Sequence, residues 1–220
     1  MSHAAIDTPF TRMLGLRVPV AQAPVGGAST PELAAAVANA GGLGVLSITW
    51  RDPQVLPGML TRTLEMASGP VAVNLVLEWD PEERLRIALD AGVRLVSFFW
   101  GDPAPWMEPI KAAGGRVIHT VGSAEEARLA VAAGVDLIVA QGVEAGGHVW
   151  SGVSTMSLIP RVADAVGGAV PVLAAGGIMD GRGIAAALAL GADGVWMGTR
   201  FLMASECAAH PLWQERLIAA

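Results

Sequence analysis

The residues Gln141-Gly142-Val143-Glu144-Ala145-Gly146-Gly147-His148 follow directly on an apolar run, Asp136-Leu137-Ile138-Val139-Ala140. A buried strand that ends in a glycine-rich loop carrying one histidine is a way to present a base to a bound ligand. Glycine lets the backbone approach that ligand closely, and imidazole is the side chain that changes charge near neutral pH. A lone histidine more commonly has its ring satisfied by neighbouring backbone. The position of His148 just past a strand favours the catalytic reading. Glu144, four residues earlier, either orients the imidazole or faces solvent. His119, at the end of an earlier apolar run, is the second candidate, while His3 and His210 fall in terminal segments.

Other segments have the composition of ligand-contacting turns. Gln22-Ala23-Pro24-Val25-Gly26-Gly27 keeps its side chains small. Asn74 stands inside the apolar Val73-Asn74-Leu75-Val76. A buried amide needs partners, which either a heterocycle or a neighbouring loop would supply. Two further glycine turns, Ala174-Ala175-Gly176-Gly177-Ile178 and Trp196-Met197-Gly198-Thr199-Arg200, suit a phosphate held by backbone N–H groups and a helix N-terminus. Lys111 is the only lysine, so a backbone cradle, with the Thr199 hydroxyl added, is the expected anion site. Arg182 and Arg200 are nearby cations, although an arginine beside a surface helix is more often solvated or paired. No His/Cys/Asp grouping has metal-ligand spacing, and no Ser-His-Asp arrangement is present, so no metal site is expected.

Those turns must be positioned by the elements between them. Short apolar runs bounded by Gly or Pro read as buried parallel strands at Val18–Gln22, Leu43–Ser47, Val71–Val76, Arg94–Phe99, Gly115–His119, Asp136–Ala140, Val170–Ala175 and Asp193–Met197. Helix starts lie between them: Thr30-Pro31-Glu32, Asp80-Pro81-Glu82-Glu83 and the capping-box pattern Ser123-Ala124-Glu125-Glu126. A phrase recurs where helix gives way to strand: Asn39-Ala40-Gly41-Gly42, Asp90-Ala91-Gly92-Val93, Ala132-Ala133-Gly134-Val135 and Leu190-Gly191-Ala192-Asp193. Eight strands alternating with helices predict an α/β chain folded as one (β/α)8 TIM barrel, a single domain over residues 1–220. A doubly wound sheet would have fewer strands and an early Gly-x-Gly-x-x-Gly, and fits poorly. In such a barrel every turn named above lies at the C-terminal ends of the strands.

Composition agrees. Hydrophobic residues make up 53% and charged residues 15% of the 220, which suits strands covered on both faces. No apolar run reaches the roughly 18–20 residues of a membrane span, and a net charge of −6 gives no nucleic-acid footprint. Cys207 is the single cysteine, which rules out an intrachain disulfide and fits a reducing compartment. Met1-Ser2-His3-Ala4-Ala5-Ile6-Asp7 lacks the basic and apolar regions of a signal peptide, so a cytoplasmic protein is expected.

Gln141-Gly-Val-Glu-Ala-Gly-Gly-His148, Ala174-Ala-Gly-Gly-Ile178, Met197-Gly-Thr-Arg-Phe201, Val73-Asn74 and the opening Gly15-Leu-Arg-Val-Pro-Val-Ala-Gln-Ala-Pro24 resemble the nitronate monooxygenases, formerly 2-nitropropane dioxygenases. The likeness runs over nearly the whole chain. Its most specific part, the Glu-Ala-Gly-Gly-His loop, is shared with FMN-dependent enoyl-acyl-carrier-protein reductases. The resemblance implies FMN held without a covalent link, contacted by Ala23, Pro24, Asn74, Gln141, Gly146, Gly176, Gly177, Trp196, Met197, Gly198 and Thr199. It places His148 as the catalytic residue, a base on a neutral nitroalkane or a polar partner of the nitronate. The implied chemistry is oxidation of an alkyl nitronate with O2 to a carbonyl compound and nitrite. An NAD(P)H-dependent reductase of enoyl thioesters or quinones is the alternative, and a flavin-binding barrel without activity a further one. Thr120 and Trp196 depart from the family pattern, which often has Lys or Gln at the first position and a smaller residue at the second. Members of the family also continue for roughly another hundred residues, so the family's C-terminal extension is expected to be missing here.

Overall fold

The computed structural model describes residues 6–219, and His3 lies outside them. Each of the eight apolar runs forms a strand: β1 Val20–Gln22, β2 Gly44–Ser47, β3 Val71–Val76, β4 Leu95–Phe99, β5 Arg116–Val121, β6 Leu137–Gln141, β7 Val172–Ala175 and β8 Gly194–Met197. Every pairing is parallel, in the order β1-β8-β7-β6-β5-β4-β3-β2. The ring closes between β1 and β2 through the bridge Ala21–Leu43, with Leu43 N–H donating to Val20 O at 3.0 Å. Where the short β1 backbone no longer reaches β2, the buried Gln22 side chain takes over. Its Oε1 accepts the Val45 N–H at 3.0 Å. The (β/α)8 barrel expected from the sequence is the fold.

The helices are α1 Pro9–Leu14, α2 Pro31–Asn39, α3 Leu56–Met66, α4 Glu82–Asp90, α5 Ala104–Ala112, α6 Ala124–Ala132, α7 Thr155–Val166, α8 Gly181–Ala189 and α9 Pro211–Ala219. Thr30 Oγ1 accepts the Leu33 N–H at 3.0 Å, and Ser123 Oγ accepts the Glu126 N–H at 3.2 Å, as their cap positions predict. The capping box at α6 is displaced by one residue, because Glu126 accepts the Gly122 N–H rather than that of Ser123. The four glycines of the recurring phrase, Gly41, Gly92, Gly134 and Gly191, all have φ between 90° and 98°, which stops each helix and launches the next strand. Asp136 and Asp193 stand just before β6 and β8 rather than within them. Their carboxylates accept the N–H of Val117 and Val172 on the neighbouring strands, at 2.7 and 2.9 Å.

Strand alternation separates two apolar layers. Ala21, Val45, Ala72, Leu95, Ile118, Leu137, Val139, Leu173 and Trp196 fill the barrel interior. Val73, Val96, Val117, Ile138 and Val172 face the helices. Phe10 of α1 is fully buried in the interior cluster, and a Cβ on Gly194 would meet its ring at 2.8 Å, so this helix plugs the N-terminal end. The other end stays open for a ligand. Among the described residues no helix is long and apolar enough to cross a membrane, and no group of side chains could hold a metal ion.

Candidate functional site

A cavity of about 900 Å³ opens over the C-terminal ends of the strands, within the usual range for small-molecule sites. Every residue named from the sequence for ligand contact borders it: Ala23 and Pro24 after β1, Asn74 on β3, Gln141, Gly146 and His148 at the end of β6, Gly176 and Gly177 after β7, and Trp196 to Thr199 at β8. The barrel brings together segments up to about 175 residues apart in the chain.

Two glycine turns meet under the β6 loop. Gly176 has φ 116°, and a Cβ there would lie 2.5 Å from Thr155 Oγ1 and 3.1 Å from Ala145 N. Only glycine lets the turn after β7 pass beneath this loop. Glu144 completes the junction, with Oε2 accepting both the N–H and the hydroxyl of Thr155 at 2.8 Å. The Thr155 N–H bond holds the Glu144 carboxyl below the usual carboxylate range. Glu144 therefore pins the start of α7 and does not orient His148, one of the two roles its spacing allowed.

Among the described residues, the backbone N–H groups of Gly176, Gly177, Gly198 and Thr199 donate to no protein acceptor. Four such donors from two adjacent turns make a cradle for an anion. The α8 N-terminus does not join them, because Asp180 already accepts the N–H groups of Arg182 and Gly183 at 3.0 and 3.2 Å. Arg182 is exposed and paired with Asp180 at 2.5 Å, and neither it nor Arg200 borders the cavity. Lys111 pairs with Asp136 at the opposite end of the barrel. The anion site is a backbone cradle, as the single lysine led one to expect, without the helix terminus. A phosphorylated planar cofactor such as FMN fits this donor set and volume.

His148 stands exposed at the rim. Gln141 fixes its segment at both sides: Nε2 donates to His148 O, and Oε1 accepts the Trp150 N–H, each at 3.0 Å. The Trp150 indole in turn donates to Glu126 Oε2 at 2.6 Å. Gln141 borders the cavity while its amide is committed to this loop. Asn74 donates to Ser97 O and Oγ at 3.3 Å, which satisfies it from the neighbouring strand.

The imidazole sits against an aromatic wall that the motif analysis missed. Its ring centroid is 4.9 Å from Trp100, 5.7 Å from Trp50 and 6.2 Å from Phe99, with Trp79 behind at 5.3 Å from Trp50. The available signal was positional, since Trp50 and Trp79 each stand three residues past β2 and β3, and Trp100 directly follows β4. Trp100 has φ 60°, a conformation that costs a bulky side chain about 1–3 kcal/mol. Its indole N–H is buried without a partner among the described residues.

His119, the second candidate, is not in the site. β5 extends to Val121, so Thr120 faces the cavity and His119 faces the helices, where it is 7% exposed. Its Nδ1 has no partner among the described residues. Burial pushes its pKa down to about 4, although the Asp102 charge works in the opposite sense. His210 caps α9, with Nδ1 accepting the Leu212 N–H at 3.2 Å.

The family model for nitronate monooxygenase matches residues 7–83 and 78–220, two pieces that meet between β3 and α4. A carboxyl-CoA dehydrogenase of Mycobacterium tuberculosis, named for its hydroxy-methyl-oxo-octahydroindene substrate, is 39% identical over 217 residues, 98% of this chain and 61% of its own. The chain thus spans about 61% of that relative's length. The nitronate monooxygenase of Pseudomonas aeruginosa is 36% identical over 256 positions, 94% of this chain and 72% of its own. Among solved structures, FabK from Thermotoga maritima superposes with a TM-score of 0.93 at 36% identity, over 98% of this chain and 69% of that one. Nitroalkane oxidase from Streptomyces ansochromogenes gives 0.84 at 34% identity, over 93% and 71%. With its barrel, glycine turns and rim histidine matched along nearly its whole length, the chain belongs to the nitronate monooxygenase family.

Proposed function

We propose that this protein is an FMN-dependent oxidoreductase that oxidises alkyl nitronates with O2 to a carbonyl compound and nitrite. The observation that carries this is the convergence of unpaired N–H groups after β7 and β8 with His148 on one cavity. Gly176, Gly177, Gly198 and Thr199 would hold the phosphate of FMN, and Ala23, Pro24, Asn74, Gln141, Gly146, Trp196 and Met197 would border the rest of it. When bound, FMN supplies the redox chemistry with molecular oxygen. His148 removes the proton from the carbon beside the nitro group, or donates a hydrogen bond to the nitronate. Its exposure at the rim lets that proton exchange with solvent. The test is the absorbance spectrum of the purified protein together with nitrite release from propyl nitronate. His148→Asn should retain flavin and lose about 100-fold or more of turnover on neutral nitroalkane. An FMN-replete protein that releases no nitrite refutes the proposal.

One observation favours a second reading, a flavin-dependent dehydrogenase or reductase of acyl thioesters. The Pseudomonas alignment is longer than this chain, so that relative carries residues within the matched region that this chain lacks. The alignment with the CoA dehydrogenase has almost no such excess. Rapid anaerobic bleaching of the flavin by NADH would support the second reading over the first.

A further inference from the structure

We infer that the Trp50–Phe99–Trp100 wall is a specificity surface for an uncharged, planar conjugated ring, so that the substrate is a flat ring compound rather than a short aliphatic one. This rests on the proposed function for which face of the cavity meets the reacting group, and deepens it by naming the substrate class. Trp50, Phe99 and His148 border the cavity directly. Trp79 backs Trp50 edge-on, at 5.3 Å and 73°, which leaves the Trp50 faces free, and Trp50 is 50% exposed. Trp100 links the wall to Trp79 and Trp150 at 6.5 and 6.2 Å. Its left-handed backbone shows that the surrounding packing holds this indole in place against a local conformational preference.

The charge pattern selects among ring types. No lysine or arginine among the described residues borders the cavity, so an anionic substituent on this side finds no partner. The only carboxylate bordering it, Glu144, is committed to Thr155, so a cation gains no ion pair. Stacking and edge contacts with indole and phenyl rings remain, and these reward a flat π-surface. Val76, Ile178 and Met179 supply an apolar remainder.

The experiment compares nitrobenzene with nitrocyclohexane, which share the nitro group and ring size and differ in planarity. Isothermal titration of the flavin-loaded protein should give about fivefold tighter binding of nitrobenzene, with quenching of tryptophan emission. Trp50→Ala should abolish that preference, and Trp50→Phe should restore most of it. Because the Trp50 side chain is half exposed, neither change threatens the fold, and thermal melting verifies this. Equal or tighter binding of nitrocyclohexane, no measurable binding of nitrobenzene, or a preference that survives Trp50→Ala overturns the inference. Flavin content read at 450 nm separates the two ideas. A yellow protein without ring preference refutes the wall alone, whereas ring preference in a protein that takes up no FMN refutes the flavin reading alone.

Discussion

His119 should make this barrel acid-sensitive, and replacing it should remove a defined part of that sensitivity. In the folded chain the imidazole is buried, has an unpartnered nitrogen, and carries a pKa pushed down to about 4. In the unfolded chain it titrates near the usual value of about 6.5. Below that value the unfolded state takes up a proton that the folded state refuses, so stability falls with falling pH until about pH 4, where the folded form titrates too. The loss from this one group is about 2 kcal/mol between pH 7 and pH 5, approaching about 3 kcal/mol at pH 4. For a chain of this size, 2 kcal/mol corresponds to about 4–8 °C in Tm. His119→Leu keeps an apolar side chain between Phe98 and Ile138, its partners across β4 and β6. Thermal melts of both proteins at pH 7 and pH 5 give the comparison, and taking the difference cancels the other titrating groups. The melting temperature of the variant relative to wild type should rise by those 4–8 °C on acidification. Parallel pH profiles, or an NMR titration placing the His119 midpoint near 6.5, would refute the reasoning.

Three further outcomes follow from the site. Gly176→Ala places a Cβ 2.5 Å from Thr155 Oγ1 at φ 116°; it should cost about 1–3 kcal/mol by thermal melting and weaken FMN uptake in a fluorescence titration. Glu144→Ala frees the Thr155 N–H and should destabilise by about 0.5–1 kcal/mol at pH 7. Because its folded pKa is lowered, that contribution is present above the ordinary carboxylate range and fades as pH falls through it, so the gap between melts should close under acid. Gln141→Leu removes both bonds that fix the segment from His148 to Trp150. It should lower kcat by about tenfold or more with flavin content unchanged, and unchanged steady-state kinetics would show that the loop is held by other means.

Much of this protein was legible in its sequence because the signals are local. Apolar runs flanked by glycine determine a buried strand, a Thr-Pro or Ser-x-x-Glu pattern starts a helix, and Ala-Gly ends it in the left-handed conformation. Once eight such units are counted, barrel closure dictates that the turns after β1, β6, β7 and β8 share one mouth, so the cavity residues followed from topology. Side-chain commitments did not. His119 and Thr120 are adjacent, and only the strand register decides which of them meets the cavity. Glu144 lies four residues from His148 in sequence, yet bonds to Thr155 because the loop folds back over the Gly176 turn. The aromatic wall is assembled from segments after β2, β3 and β4 that have no shared motif. A sequence carries the local preferences of backbone and burial; which side chains meet across loops is decided by packing, and that exists only in three dimensions.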